Sequence, residues 1–406
     1  MRIHLRLLIL LFMPAVAAPL TAAEQVIAIK AGRILPISGE PISGGVILIQ
    51  DGKIIAVGSE VEIPADAEIV DASSGVAMPG LVDARAVRPV RGDRNEQSNE
   101  ITPTFHISQG INPKSRYLKR ALQAGVTTAY VPPGGSNLIA GVGVAIKPFG
   151  KTVAEMIVED DAALHITMGS ESTYGNRIPR WNRPDSFYYR RPTTRMAVAW
   201  MLRKSFFDAQ QYAAESPEQA DAALETLTAA ANGELPLRVT VRRAIDIRTA
   251  FRIADEYGLK ITLDECTEGY KVAELIAEKK APVVLGPYYY YPRTRDQYSE
   301  GREFNWNNAG ILARAGVKVV LASGAEPEMA DLLTAAMFAV RHGMPADDAL
   351  KAITLTAAEV IGLADRVGSL DVGKDADILI LSGEPLAGTS RVRRVILNGR
   401  TVHEAD

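Results

Sequence analysis

From Met78 to about residue 365 the chain alternates short apolar runs with amphipathic stretches, and this alternation restricts the fold more than any other feature. Leu81–Asp83, Thr127–Val131, His165–Met168, Leu237–Val241, Lys260–Asp264, Pro282–Leu285 and Lys318–Ala322 read as buried strands. Tyr117–Ala124, Ile247–Tyr257 and Met329–Arg341 read as helices between several of them. Strands that alternate with helices form a parallel sheet with crossover connections. About eight such units match a (β/α)8 TIM-type barrel, typically ~250 residues, which carries its chemistry just past the strand ends. A doubly wound open sheet is the alternative, weakened because no glycine-rich phosphate fingerprint follows the first strand.

The two ends of the chain read differently. Asp51-Gly52 separates Val46–Gln50 from Lys53–Val57, and Asn398-Gly399 separates Arg393–Leu397 from Arg400–Val402, each a tight hairpin signal. Val26–Lys30 and Ala376–Leu381 are further strands. Neither hairpin is stable alone, so the ends are expected to pair with each other. The expected class is α/β: a (β/α)8 barrel over residues 78–365, with a small β-sandwich domain built from 24–77 and 366–406.

Residues 1–23 stand apart. Arg2 and Arg6 precede the apolar run Leu7–Met13, and Thr21-Ala22-Ala23 resembles an export cleavage site. Pro14 and Pro19 interrupt the stretch, and a membrane span needs roughly 20 continuous apolar residues. This is the pattern of a signal peptide, so a periplasmic or secreted location is expected and a stable membrane anchor is not. The formal net charge of −3 gives no basic excess for nucleic acid. Cys266 is the only cysteine, which rules out an internal disulfide, and its expected role is a small buried apolar residue.

Pro79-Gly80-Leu81-Val82-Asp83-Ala84, Ala124-Gly125-Val126-Thr127-Thr128, and the tail from Ala352-Ile353-Thr354 through Gly368-Ser369-Leu370 to Gly373-Lys374-Asp375-Ala376-Asp377 carry a more specific signal. In order and spacing they resemble the amidohydrolase superfamily, in its imidazolonepropionase-like and dihydroorotase-like branch, over about Glu24 to Asp406. The resemblance implies one or two divalent metals such as zinc. They would be held by a His-x-His after strand one, single histidines after strands five and six, and an aspartate after strand eight. Such a site lowers the pKa of a bound water from ~15.7 to about 7 and so makes hydroxide at neutral pH.

By the same resemblance, the His-x-His slot falls on Arg85-Ala86-Val87, the strand-five region on Thr240-Val241-Arg242, the strand-six histidine on Glu265 and the terminal aspartate on Gly324. His106, His165, His342 and His403 are the histidines beyond the leader, and no two lie within three residues of each other. A shifted register therefore finds no His-x-His. His165 and His106 are expected to be a core residue and a loop residue. The expectation is a degenerate member without the metal-binding histidines and without a resident cofactor.

Arg85 and Arg242 put cations, and Glu265 an anion, where ligands would stand. Arg85 is expected within salt-bridge distance of Glu265 or Asp83. The candidate ligand-binding residues are Arg85, Thr240, Arg242, Glu265, Gly324, Tyr288 and Tyr289. The two tyrosines belong to the Tyr- and Arg-rich run Gly286–Arg295, which Trp181 and Tyr188–Arg191 are expected to join. Two functions follow. One is an exported non-catalytic amidohydrolase-like chain that binds an anionic small molecule or scaffolds a partner, as a homo-oligomer or with an active relative. The other is a hydrolase of non-peptide C–N bonds by a divergent or metal-free route, with Glu265, Asp264 or Glu171 as base.

Overall fold

Asp51 and Gly52, and again Asn398 and Gly399, all adopt left-handed backbone angles and close the two hairpins that their sequence signals predict. The computed structural model describes residues 25–405 apart from 91–93, 97, 174–190, 216–218, 287–299, 301–302 and 325–330. The signal-peptide reading of residues 1–23, Tyr288, Tyr289, Trp181 and Tyr188–Arg190 lie outside the described residues.

The strands are β1 (Ile27–Ile34), β2 (Ile42–Gln50), β3 (Lys53–Gly58), β4 (Glu68–Pro79), β5 (Leu81–Asp83), β6 (Val126–Val131), β7 (Ile139–Ile146) and β8 (Ile157–Thr167). They continue with β9 (Leu237–Val241), β10 (Ile261–Glu265), β11 (Val283–Leu285), β12 (Val319–Leu321), β13 (Ile378–Leu381), β14 (Val392–Leu397) and β15 (Arg400–Glu404). Both chain ends enter one seven-stranded sheet in the order β15-β14-β13-β4-β1-β2-β3. The join is β4, which runs parallel to β1 and antiparallel to β13. Both chain ends thus pair into one small sheet domain, as the two hairpins lead one to expect, and its strands form one hydrogen-bonded run of seven.

The eight strands β5 to β12 pair in chain order. An isolated parallel bridge between Ala86 and Gly324 brings the two edges together. There the Gly324 amide donates to the Arg85 carbonyl at 3.1 Å, so the sheet is a nearly closed barrel. One strand departs from the expected pattern. β7 runs antiparallel to both β6 and β8, so this part of the wall is not built from β/α units. Its sequence, Ile-Ala-Gly-Val-Gly-Val-Ala-Ile, is buried throughout.

Alternation decides which side chains fill the barrel. Val82, Ala84, Tyr130, Ala145, Ala163, Val284, Val320 and Ala322 belong to one buried cluster. The helices Ala244–Tyr257 and Leu332–Arg341 bury Ile247, Phe251, Leu332 and Ala336 in the larger cluster with the outward faces of the strands.

Candidate functional site

Four strands carry polar side chains into the barrel. The register pairs His165 with Arg238, Thr167 with Thr240, and Asp264 with Thr240, placing them in adjacent layers. Arg238 donates to Asp264 Oδ1 from Nε at 3.2 Å and from Nη2 at 2.5 Å, and Nη1 donates to the Ala84 carbonyl at 2.8 Å. Its guanidinium lies over the Tyr130 ring, 4.2 Å from the centroid. His165 Nε2 shares a 3.0 Å hydrogen bond with Thr240 Oγ1. Burial, with the charges of Arg85 and Arg238, holds the imidazole well below its ordinary pKa, so it is neutral.

Above this layer, at the C-terminal ends of the strands, stands a second set of charges. Arg85 Nη2 is 2.7 Å from Glu265 Oε1, as the sequence leads one to expect; Arg85 Nε is 3.8 Å from Asp264 Oδ2. Arg242 donates from Nε to Glu265 Oε2 and from Nη2 to Glu171 Oε2 at 2.5 Å. Its Nη1 lies 3.7 Å from Glu300, which Arg195 also binds together with Asp246. Burial raises the cost of a charge on Glu265, but Arg242 and Arg85 outweigh it and hold the carboxyl down to about 2. Both Glu265 and Cys266 have positive φ, so a sharp turn at the end of β10 aims the Glu265 carboxylate between the two arginines.

The other expected site residues divide. Asp83 does not pair with the Arg85 guanidinium. It accepts instead from the Arg85 amide at 3.1 Å and from the Ser323 amide and hydroxyl at 3.2 and 2.5 Å. Gly324, with φ of +64°, serves the closure bridge through its backbone. Thr240 is occupied by His165, and Asp264 by Arg238. Cys266 is a free, buried thiol whose pKa burial pushes up, which suits a packing role. His106 precedes a short 3-10 helix and lies 3.5 Å from Asp161.

Sequence reading missed Arg238, Arg94, Arg88, Arg195 and Glu300. The signal for Arg238 was present: it sits two residues before Thr240 on an apolar strand, on the same inward parity. Among the described residues, no group of three or more His, Cys, Asp or Glu side chains is arranged to hold a metal ion.

A solved amidohydrolase from Thermotoga maritima MSB8 superposes on this chain with a TM-score of 0.85 at 32% identity, covering 93% of this chain and 100% of that one. The chain belongs to the amidohydrolase superfamily. The Amidohydrolase family model matches residues 237–402, from β9 to β15. The amidohydrolase tasK of Hapsidospora irregularis is 23% identical over 87% of this chain, which spans only 39% of that relative's length. The imidazolonepropionase of Brucella suis biovar 1 is 23% identical over 84% of this chain and 87% of its own. The amidohydrolase architecture places the ends of β5, β9, β10 and β12 at the face where such barrels do their chemistry. Arg85, Arg242, Glu265 and Gly324 all stand there.

Proposed function

We propose that this amidohydrolase-fold chain does not assemble a metal centre and instead uses its barrel mouth to bind an anionic small molecule. The observation that carries the reading is the engagement of Glu265: Arg85 holds one carboxylate oxygen and Arg242 the other. A metal ligand needs a free lone pair, and a dication beside two guanidiniums would be repelled. The residues at the family's other ligand slots fit no better. Arg85 is a permanent cation, Ala86 and Val87 offer no donor, and the Thr240 hydroxyl is paired with His165. Zinc prefers nitrogen and sulfur donors, and this donor set does not fit it.

The competing reading, C–N bond hydrolysis with Glu265, Asp264 or Glu171 as base, draws its support from ancestry. A general base works best with a pKa near the operating pH. Glu265 is held near 2, and Asp264 and Glu171 are both hydrogen-bonded to arginine. A positioned base alone contributes roughly 10²–10⁴-fold, whereas a metal hydroxide also supplies the nucleophile and Lewis acid.

The test is elemental analysis of the purified protein after incubation with zinc, manganese or cobalt, with a hydrolysis panel of amides and lactams. Substoichiometric metal and no turnover are expected. One tightly held metal per chain, or turnover lost in Glu265→Gln, overturns the reading.

A second surface favours a scaffolding role. On the helix Arg195–Glu215, Met196, Trp200 and Phe207 lie on one face and are 80%, 59% and 52% exposed. Such an exposed apolar stripe fits a protein contact, and a homo-oligomer is the assembly we propose for it. Sedimentation of the wild type against Trp200→Glu checks it: a dimer that the substitution dissociates is expected, and a wild-type monomer at all concentrations sinks it.

A further inference from the structure

The end of the barrel opposite the mouth holds a second concave site. There β9 and β10 start at Leu237 and Ile261, and Pro282 and Lys318 lead into β11 and β12. Between these strand starts and the ends of the surrounding helices lies a cavity of about 620 Å³, within the ~300–1,000 Å³ usual for small-molecule sites. Leu237, Phe251, Ile261, Pro282 and Val360 give it an apolar lining. None of its lining residues belongs to the charge network of the mouth.

The charges around this cavity do not balance. Four lysines line it, Lys260, Lys279, Lys280 and Lys318, against two carboxylates, Asp255 and Glu359. Both carboxylates are taken: Lys279 Nζ lies 2.8 Å from Asp255, and Lys318 Nζ lies 2.8 Å from Glu359. Among the described residues, Lys260 and Lys280 have neither an ion pair nor a side-chain hydrogen bond. Lysines often gather at helix C-termini to meet the last carbonyls. Neither of these ammoniums reaches one, so capping does not account for them.

Lys280 is also held in a conformation that lysine disfavours. It closes the helix Ala273–Glu278 with a φ of +53°, and its amide donates to the Ala277 carbonyl at 3.0 Å. The helices Ala222–Asn232 and Ala244–Tyr257 end instead at left-handed Gly233 and Gly258, which carry no Cβ to strain. Gly233 borders the same cavity. At the neighbouring helix end, a strained lysine stands where glycine would be relaxed, and its side chain lines the cavity.

We propose that this cavity binds a small amphipathic carboxylate, a carboxyl group on a short apolar chain or ring. The apolar part lies against Leu237, Phe251 and Ile261, and Lys260 and Lys280 meet the carboxylate. The apolar lining alone would admit any small hydrophobe, and the two unpaired ammoniums select one that carries a negative charge. The site is separate from the barrel mouth and does not depend on what binds there.

Isothermal titration of the full chain with octanoate, acetate and octanol, at ionic strength matched by chloride, tests the site. Saturable octanoate binding is expected, with acetate and octanol each at least about tenfold weaker, because each lacks one half of the ligand. Lys260→Gln and Lys280→Gly are expected to weaken octanoate binding about three- to tenfold, and Lys280→Arg to keep it. Lys280→Gly is expected to keep or raise the urea midpoint, so its lost binding is not a loss of folding. No saturable octanoate binding overturns the inference, as does acetate or octanol bound as tightly as octanoate, or equal octanoate binding in wild type and both lysine variants. Octanoate binding lost in Arg242→Ala but kept in Lys260→Gln places the anion at the barrel mouth, which sinks this site and supports the reading above.

Discussion

At the scale of single residues, the barrel interior depends on charges that exist only as pairs. Asp264 is fully buried, and Arg238 supplies its hydrogen bonds. Removing the arginine strands a carboxylate in the core, so Arg238→Ala is expected to cost about 3–5 kcal/mol by urea denaturation. Arg238→Met with Asp264→Leu is expected to recover much of that loss, since replacing both partners by apolar groups removes the unpaired charge. His165 adds a pH dependence. Its folded pKa lies well below 6.5, so the unfolded chain takes up a proton that the folded chain refuses, and stability falls as pH drops below about 6.5. Glu265, with a folded value of about 2 against 4.5, gives stability that is fully present above about 4.5 and is lost as pH falls through the folded value. Between those windows His165 acts without Glu265, at up to ~1.4 kcal/mol per pH unit, and His165→Gln is expected to flatten the slope measured between about pH 5 and about pH 7. The pairing of Arg85 with Glu265 was legible because both replace expected ligands at facing strand ends. The Arg238–Asp264 pair was missed although Arg238 shares the inward parity of Thr240, because nothing in the sequence says that Asp264 on the next strand stands at the height of its guanidinium.

Among elements, the departures from the sequence reading come from strands whose composition hides them. β7 carries Gly141 and Gly143 in eight residues, and glycine weakens a strand signal. β8 begins at Ile157, well before His165, because Glu159, Asp160 and Asp161 break the apolar pattern that marks its buried half. Gly143 has a packing reason. A Cβ there would lie 2.5 Å from Tyr130 Cζ, and that ring is trapped under the Arg238 guanidinium. Gly143→Ala is therefore expected to cost about 1–3 kcal/mol in chemical denaturation. Tyr130→Phe is the contrast. The hydroxyl is buried without a hydrogen bond, so removing it is expected to leave stability unchanged or slightly raised. A large loss in Tyr130→Phe would show that the hydroxyl has a partner and would undo the steric account. The hairpins were legible at once, because Asp-Gly and Asn-Gly specify the turn locally. β4 was not, because what makes it a strand is pairing with β1 and β13, which are far apart in the chain.

Across the whole molecule, one buried lysine fastens the barrel to the sheet built from the chain ends. Lys147, just past β7, places its ammonium 2.9 Å from Asp375 and 3.0 Å from Asp377, and also donates to Asn398. Asp375 gathers Lys53 at 2.6 Å and Arg366 at 3.0 Å as well, which gives the Gly-Lys-Asp-Ala-Asp tail its structural sense. The two aspartates respond differently. Burial opposes the charge of Asp375, but Lys53, Lys147 and Arg366 together bring it down to about 2, whereas burial wins at Asp377 and raises it in spite of Lys147. Lys147→Ala leaves Asp377 buried without its cation, at an expected cost of about 3–5 kcal/mol near neutral pH. Lys53→Ala removes a partner that is 47% exposed and is expected to cost less than about 1 kcal/mol. The pH dependence separates a charge effect from lost packing. A carboxyl with a raised folded pKa contributes stability below its unfolded value and loses it as pH rises, and removing Lys147 raises Asp377 further. The deficit of Lys147→Ala relative to wild type is therefore expected to shrink as pH falls from neutral into the acid range, because Asp377 takes up its proton and the unpaired charge disappears. A deficit that stays constant across that range would assign the role of Lys147 to packing of its aliphatic stem.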